Sequence, residues 1–151
     1  MGERLVPPIM YDSLLVATDG SEDGARAVEH AVWLADRLEV PLHGVAVLET
    51  RTEYDNAIVD PDEVRRSLRT DAEGALAAVA VAADDAGVEV ETELREGVPH
   101  EEILDAAADH GVSAIVVGAR GRSSFRRALL GSTVDAVVRL APVPVLVVGE
   151  E

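Results

Sequence analysis

Short apolar runs alternate along this chain with longer stretches whose apolar residues recur at helical spacing, and this alternation limits the fold more than any other feature. In order the elements read β-α-β-α-β-α-β-α-β, the pattern of a parallel sheet joined by helical crossovers. The first strand is Leu14 to Ala17, ending at Thr18-Asp19-Gly20, with Ser21 as N-cap of a helix. That helix presents Ala27, Val28, Ala31, Val32, Ala35 and Leu38 and stops before Pro41. The second strand, Val45 to Leu48, is apolar on both faces and leads into a polar connection from Glu49 to Asp60. Asp60-Pro61-Asp62-Glu63 reads as an N-cap, a first-turn proline and a capping-box glutamate. The helix they start carries Val64, Leu68, Ala72, Leu76 and Val79 and ends near Gly87.

Val88, Val90, Thr92 and Leu94 then alternate with Glu89, Glu91 and Glu93, so only one face of this third strand is expected to be buried and it belongs at an edge. A short helix from about Pro99 to Asp109 buries Ile103, Leu104 and Ala107. The fourth strand, Ala114 to Val117, is apolar throughout and hence central. After a glycine-rich segment comes a helix using Val134, Val137, Val138 and Leu140, then Pro142 and the run Val143 to Val148. With no internal repeat or linker, residues 1–151 read as one α/β domain.

Composition removes several chemistries. There is no cysteine, so disulfides, thiolate catalysis and iron–sulfur clusters are excluded. There is no lysine either, so neither a Schiff base nor a Walker A loop is available. The formal charge of −16 repels nucleic acid and anionic membranes and suits a salt-rich cytoplasm. Only four aromatic residues exist, too few for a single-strand stacking platform. The leading residues MGERLVPPIMYD lack the apolar run of a signal peptide, and no stretch is long enough for a membrane span; a soluble, cytoplasmic protein is expected.

Ligands of open parallel sheets bind beyond the carboxyl ends of the strands, where strand order reverses. Thr18-Asp19-Gly20 and the segment Gly118 to Thr133 both suit that position. Between Asp109 and Asp135 the chain has no acidic residue, and Arg120, Arg122, Arg126 and Arg127 fall inside that gap. A positive loop on a negative protein points to an anionic ligand, and guanidinium groups suit phosphate. Gly118 and Gly121 let backbone amides approach a ligand. Gly131 precedes a helix for which Ser132 is the expected N-cap, and the amides of Ser132, Thr133 and Val134 make a phosphate site. Together these features point to a polyphosphate. Asp19 suits sugar hydroxyls or a phosphate-bound metal, and serves equally well as a turn former. His30, His43, His100 and His110 are scattered without metal-motif spacing, so no metal site is implied from protein side chains alone. Ser123 and Ser124 lack the context of a hydrolase nucleophile, and Phe125 reads as a hydrophobic anchor.

Gly118-x₂-Gly121-x₉-Gly131-Ser132 resembles the ATP-binding signature of the universal stress protein family, and the resemblance extends to Val16–Ser21, Val45–Leu48, the Gly97-Pro99-Ile103 segment and Gly131–Val148. It implies a Rossmann-like, five-stranded parallel sheet of order 3-2-1-4-5 with helices on both faces. It also implies ATP, with Mg²⁺, its adenosine near Ala17, Thr18, Asp19 and the backbone of Val47. The phosphates would lie on Gly118, Gly121, Arg122, Gly131, Ser132 and Thr133. Ser113 departs from the family's frequent aspartate. The implied role is stress response or regulation with little turnover, and no catalytic residue is assigned. The residues leave two alternatives open: a dimeric module that binds a phosphorylated partner or another anion, and a weak ATPase or phosphoryl- or nucleotidyl-transfer enzyme. The uncharged edge Val145 to Val148 predicts a homodimer through that strand, as does the resemblance.

Overall fold

Leu14, Val16, Ile115 and Val116 tolerate no water on either side, and their strands occupy the middle of the sheet. The computed structural model describes residues 11–49, 61–121 and 130–150. Its elements are β1 (Leu14–Ala17), α1 (Glu22–Leu38), β2 (Leu42–Glu49), α2 (Pro61–Asp85), β3 (Val90–Gly97), α3 (Pro99–His110), β4 (Ala114–Gly118), α4 (Ser132–Leu140) and β5 (Val145–Val148). All strand pairs are parallel, in the order β3-β2-β1-β4-β5. Leu14 is flanked by Leu42 on one side and Ala114 on the other, so the order reverses between β1 and β4.

Strand period decides which helix each side chain meets. Leu14, Val16, Leu42 and Val116 pack with Ala27, Ala31 and Val79 of α1 and α2, whereas Leu15, Val45, Ile115 and Val117 pack with Ile103, Val134 and Val137 of α3 and α4. Ser21 caps α1 as expected, its Oγ accepting from the Gly24 amide at 3.1 Å. The chain leaves α1 through Glu39, whose positive φ of 57° lets its amide reach back into the last turn.

Several local expectations need correction. β2 starts at Leu42, ahead of the apolar run, because His43 and Gly44 already pair with Glu91 and Thr92. Gly44 lies so close to α2 that a Cβ there would stand 2.9 Å from Val79 Cγ1. The expected cap Ser132 is instead the first helical residue. Gly131 holds the cap position in extended conformation, and its carbonyl accepts the first helical bond from Asp135 at 2.9 Å. Leu38, Val138 and Leu140, expected in the core, are exposed because α1 and α4 each bury a narrower stripe. The expected N-cap Asp60 lies outside the described residues.

The edge strand β3 departs furthest from simple alternation. Thr92, expected to be buried, is exposed, while Glu93 and Arg95 are half-buried. Arg95 Nη2 donates to Asp109 Oδ2 at 2.8 Å, its Nε lies 3.3 Å from Glu102 Oε1, and His110 Nε2 pairs with Glu93 Oε1 at 3.1 Å. The charged face of this strand therefore meets α3 and stays partly open to water.

Candidate functional site

The crevice forms where β1 and β4 end side by side. Beyond β1, the Thr18 amide still bonds to Val45 O at 3.0 Å, and then the chain turns. Thr18 Oγ1 accepts from the Gly20 amide at 3.2 Å, Asp19 Oδ1 accepts from Ser21 N at 2.9 Å, and Gly20 takes a φ of 82°. These short polar bonds deliver the chain into α1. The turn-forming reading of Asp19 is seen directly: one carboxylate oxygen builds the turn, and a Cβ on Gly121 would stand 2.6 Å from the other.

Gly118 has a packing reason that sequence reasoning did not find. A Cβ there would stand 2.6 Å from the Asp23 carbonyl carbon and 2.9 Å from the Gly24 amide, so β4 touches the first turn of α1 through bare backbone. Gly24, also missed, leaves its own side-chain space to Thr18, Asp19 and Ser21, whose oxygens a Cβ would meet at 3.0–3.1 Å. Its only sequence signal is a glycine one turn into a helix that is otherwise well formed.

Asp23 is the main polar residue that the sequence did not reveal. It is 5 % exposed, pairs with Arg26 Nη1 at 2.7 Å and accepts from the Arg120 amide at 3.2 Å. Arg120 also places its Nε 3.5 Å from Asp23 Oδ2 and its Nη2 3.5 Å from Glu150 Oε1. The guanidinium expected to meet phosphate thus joins the end of β4 to the start of α1 and the residues after β5. Arg122, Arg126 and Arg127, with Ser123, Ser124 and Phe125, lie outside the described residues.

The loop closes at a backbone neck, with Gly131 N bonding to Ala119 O at 2.8 Å and Ala119 N to Val148 O at 2.7 Å. That neck sets the start of α4 beside the end of β4. The amides of Ser132, Thr133 and Val134 precede the first helical hydrogen bond, and among the described residues the N-cap Gly131 supplies no side-chain cap, so the positive end of the helix dipole faces the crevice.

Every predicted site residue among the described residues lines this one crevice: Ala17, Thr18, Asp19 and Val47 on one side, Gly118, Arg120, Gly121, Gly131, Ser132, Thr133 and Val134 on the other. Val45, Pro99, Ile103 and Val117 add an apolar wall that the motif did not indicate. Bounded by the described residues alone, its cavity volume is about 150 Å³, short of the roughly 300–1,000 Å³ usual for small-molecule sites.

A crevice at the strand-order reversal, bounded by a glycine neck and a helix start, occurs here together with a family match: residues 10–149 fit the model of the universal stress protein family. The chain belongs to that family. Universal stress protein YxiE of Bacillus subtilis is 35% identical over 147 residues, covering 92% of this chain and 99% of the relative. The solved structure of universal stress protein MJ0577 of Methanocaldococcus jannaschii superposes with a TM-score of 0.77 at 27% identity, over 95% of this chain and 99% of that one. A universal stress protein solved in complex with cAMP superposes with a TM-score of 0.71 at 26% identity, over 92% of this chain and 97% of that one. In this universal stress protein Ser113, the position noted above as a departure, accepts at its Oγ from the Asp12 amide at 2.7 Å.

The fold also joins two of the histidines that sequence spacing left scattered. His43 and His110 stack with centroids 4.4 Å apart and planes at 21°, at the end of the sheet opposite the crevice. Burial and then the neighbouring His110 push the His43 imidazole below its ordinary range, against the pull of Glu91, Glu93 and Glu89.

Proposed function

We propose that this universal stress protein binds ATP with Mg²⁺ in the crevice and acts as a stress-response or regulatory protein rather than as an efficient enzyme. The observation that carries this reading is the division of one crevice into two chemistries. Val45, Val47, Ile103 and Val117 offer an apolar wall suited to a purine, while the glycine backbone and the amides of Ser132 to Val134 suit phosphates. In this reading Asp19 accepts from ribose hydroxyls or ligates a phosphate-bound cation, as a carboxylate at the crevice can do. The relative solved with cAMP supports an adenine nucleotide as the ligand class. An anion-binding module has no use for the apolar wall, so that alternative is the weaker one. Mass spectrometry of small molecules released from the purified protein tests the proposal. An adenine nucleotide in near-stoichiometric amount is expected, and a phosphopeptide or simple anion in its place overturns it.

The same reading includes a homodimer through β5. Leu146 and Val147 are exposed on this uncharged edge, and Val138 and Leu140 are exposed on α4, which packs against it. A second copy pairing antiparallel along Val145 to Val148 satisfies the strand's open hydrogen-bonding edge.

A further inference from the structure

We propose that His43, Glu91 and His110 form a binding site for one divalent transition-metal ion of the zinc, cobalt and nickel class, at the end of the sheet opposite the nucleotide crevice. One donor atom from each of the three lies within 4.8 Å of the others. They come from β2, β3 and the last residue of α3, and His43 and Glu91 are direct neighbours in the ladder. Glu91 and His110 are the two exposed members, and ligation requires their side chains to turn toward His43.

His43 supplies an independent observation. Its Nδ1 is buried without a hydrogen-bond partner among the described residues, and the nearest Glu91 oxygen is 3.7 Å away, beyond hydrogen-bonding distance. Buried polar atoms without partners are rare in folded proteins, and a metal ion between Nδ1 and Glu91 satisfies both groups. The two rings stack with centroids 4.4 Å apart, which keeps the two histidine donors together. Glu93 Oε1, 3.1 Å from His110 Nε2, stands where an outer carboxylate orients a ligating ring. Arg95, the nearby cation, is held by Asp109 and Glu102.

The donor set selects the ion. Two imidazole nitrogens and one carboxylate with a remaining water position fit a tetrahedral zinc-like ion, whereas Mg²⁺ and Ca²⁺ prefer oxygen ligands throughout. Once bound, the ion ties the edge strand to its neighbour and to the end of α3.

The test uses tag-free, chelator-stripped, nucleotide-free full chain titrated with Co²⁺ and followed by its visible absorption, then displaced by Zn²⁺. Saturation at one Co²⁺ per chain is expected, with His43→Ala and His110→Ala each weakening binding at least tenfold and Glu91→Gln weakening it less. His30→Ala and His100→Ala should leave it unchanged. His110 is exposed, so His110→Ala decides the question even if His43→Ala disturbs the fold. Binding that does not saturate at one equivalent, or that survives His110→Ala, overturns the proposal. Without nucleotide in the assay, the outcome is independent of the ATP reading.

Discussion

Gly118 and Gly121 belong to one motif yet have different physical duties. A side chain at Gly118 meets the backbone of Asp23 and Gly24, which cannot rotate away, whereas among the described residues one at Gly121 meets only the end of the Asp19 carboxylate. Gly118→Ala is therefore expected to destabilise the fold by about 1–3 kcal/mol, as overpacking does, in urea denaturation. Gly121→Ala should change stability by much less. Asp23→Ala removes the acceptor shared by Arg26 and the Arg120 amide. It should cost about 1–3 kcal/mol, the range for orphaning buried polar partners, and an unchanged denaturation midpoint would show that Asp23 does not hold the crevice together. Arg122→Ala should weaken ATP more than adenosine in calorimetry, since a phosphate contact is absent from adenosine; equal weakening would remove Arg122 from the phosphate ligands. At this scale the glycine spacing was legible but its reasons were not. Close approaches such as Gly118 to Asp23 join elements distant in sequence and leave no trace in local pattern.

Element by element, apolar periodicity found all nine helices and strands of the described residues because each central strand is apolar on both faces and each helix has a buried stripe. It failed where a strand faces charge instead of core. The alternation of Glu89, Glu91 and Glu93 marked β3 correctly as an edge, but Arg95, Asp109, Glu102 and His110 make its acidic face an interface with α3. These pairings connect β3 to a helix that begins after it, so no period within the strand predicts them. The ion pairs lie partly open to solvent, where isolated pairs contribute little, but removal of the shared cation leaves three carboxylates facing one another. Arg95→Met is expected to lower the thermal midpoint in dilute buffer and to recover part of that loss in molar salt, which screens the repulsion. A loss independent of salt would show that Arg95 acts through packing alone.

The whole molecule combines a charge of −16 with an apolar, uncharged edge at β5. Net repulsion opposes association in dilute buffer, so a dimer through this edge should strengthen with salt. Val147→Arg should give monomers in light scattering by setting like charges across the two-fold axis, and a wild-type monomer at micromolar concentration in high salt would contradict the dimer. Sheet order and the crevice were both legible in the sequence: the order through the family resemblance, the crevice through two loop segments that the fold sets side by side at the ends of β1 and β4. The apolar wall from β2, β4 and α3 was not, since Val45, Ile103 and Val117 look like any core residues until the topology turns them toward one opening. The account rests on that opening holding ATP. Calorimetric titration of the nucleotide-free chain with MgATP, repeated on Gly121→Val, tests it most directly. One site per chain is predicted, with tighter binding than for inorganic triphosphate and with binding lost in the folded variant. Equal affinity of variant and wild type, or no binding by either, would contradict it.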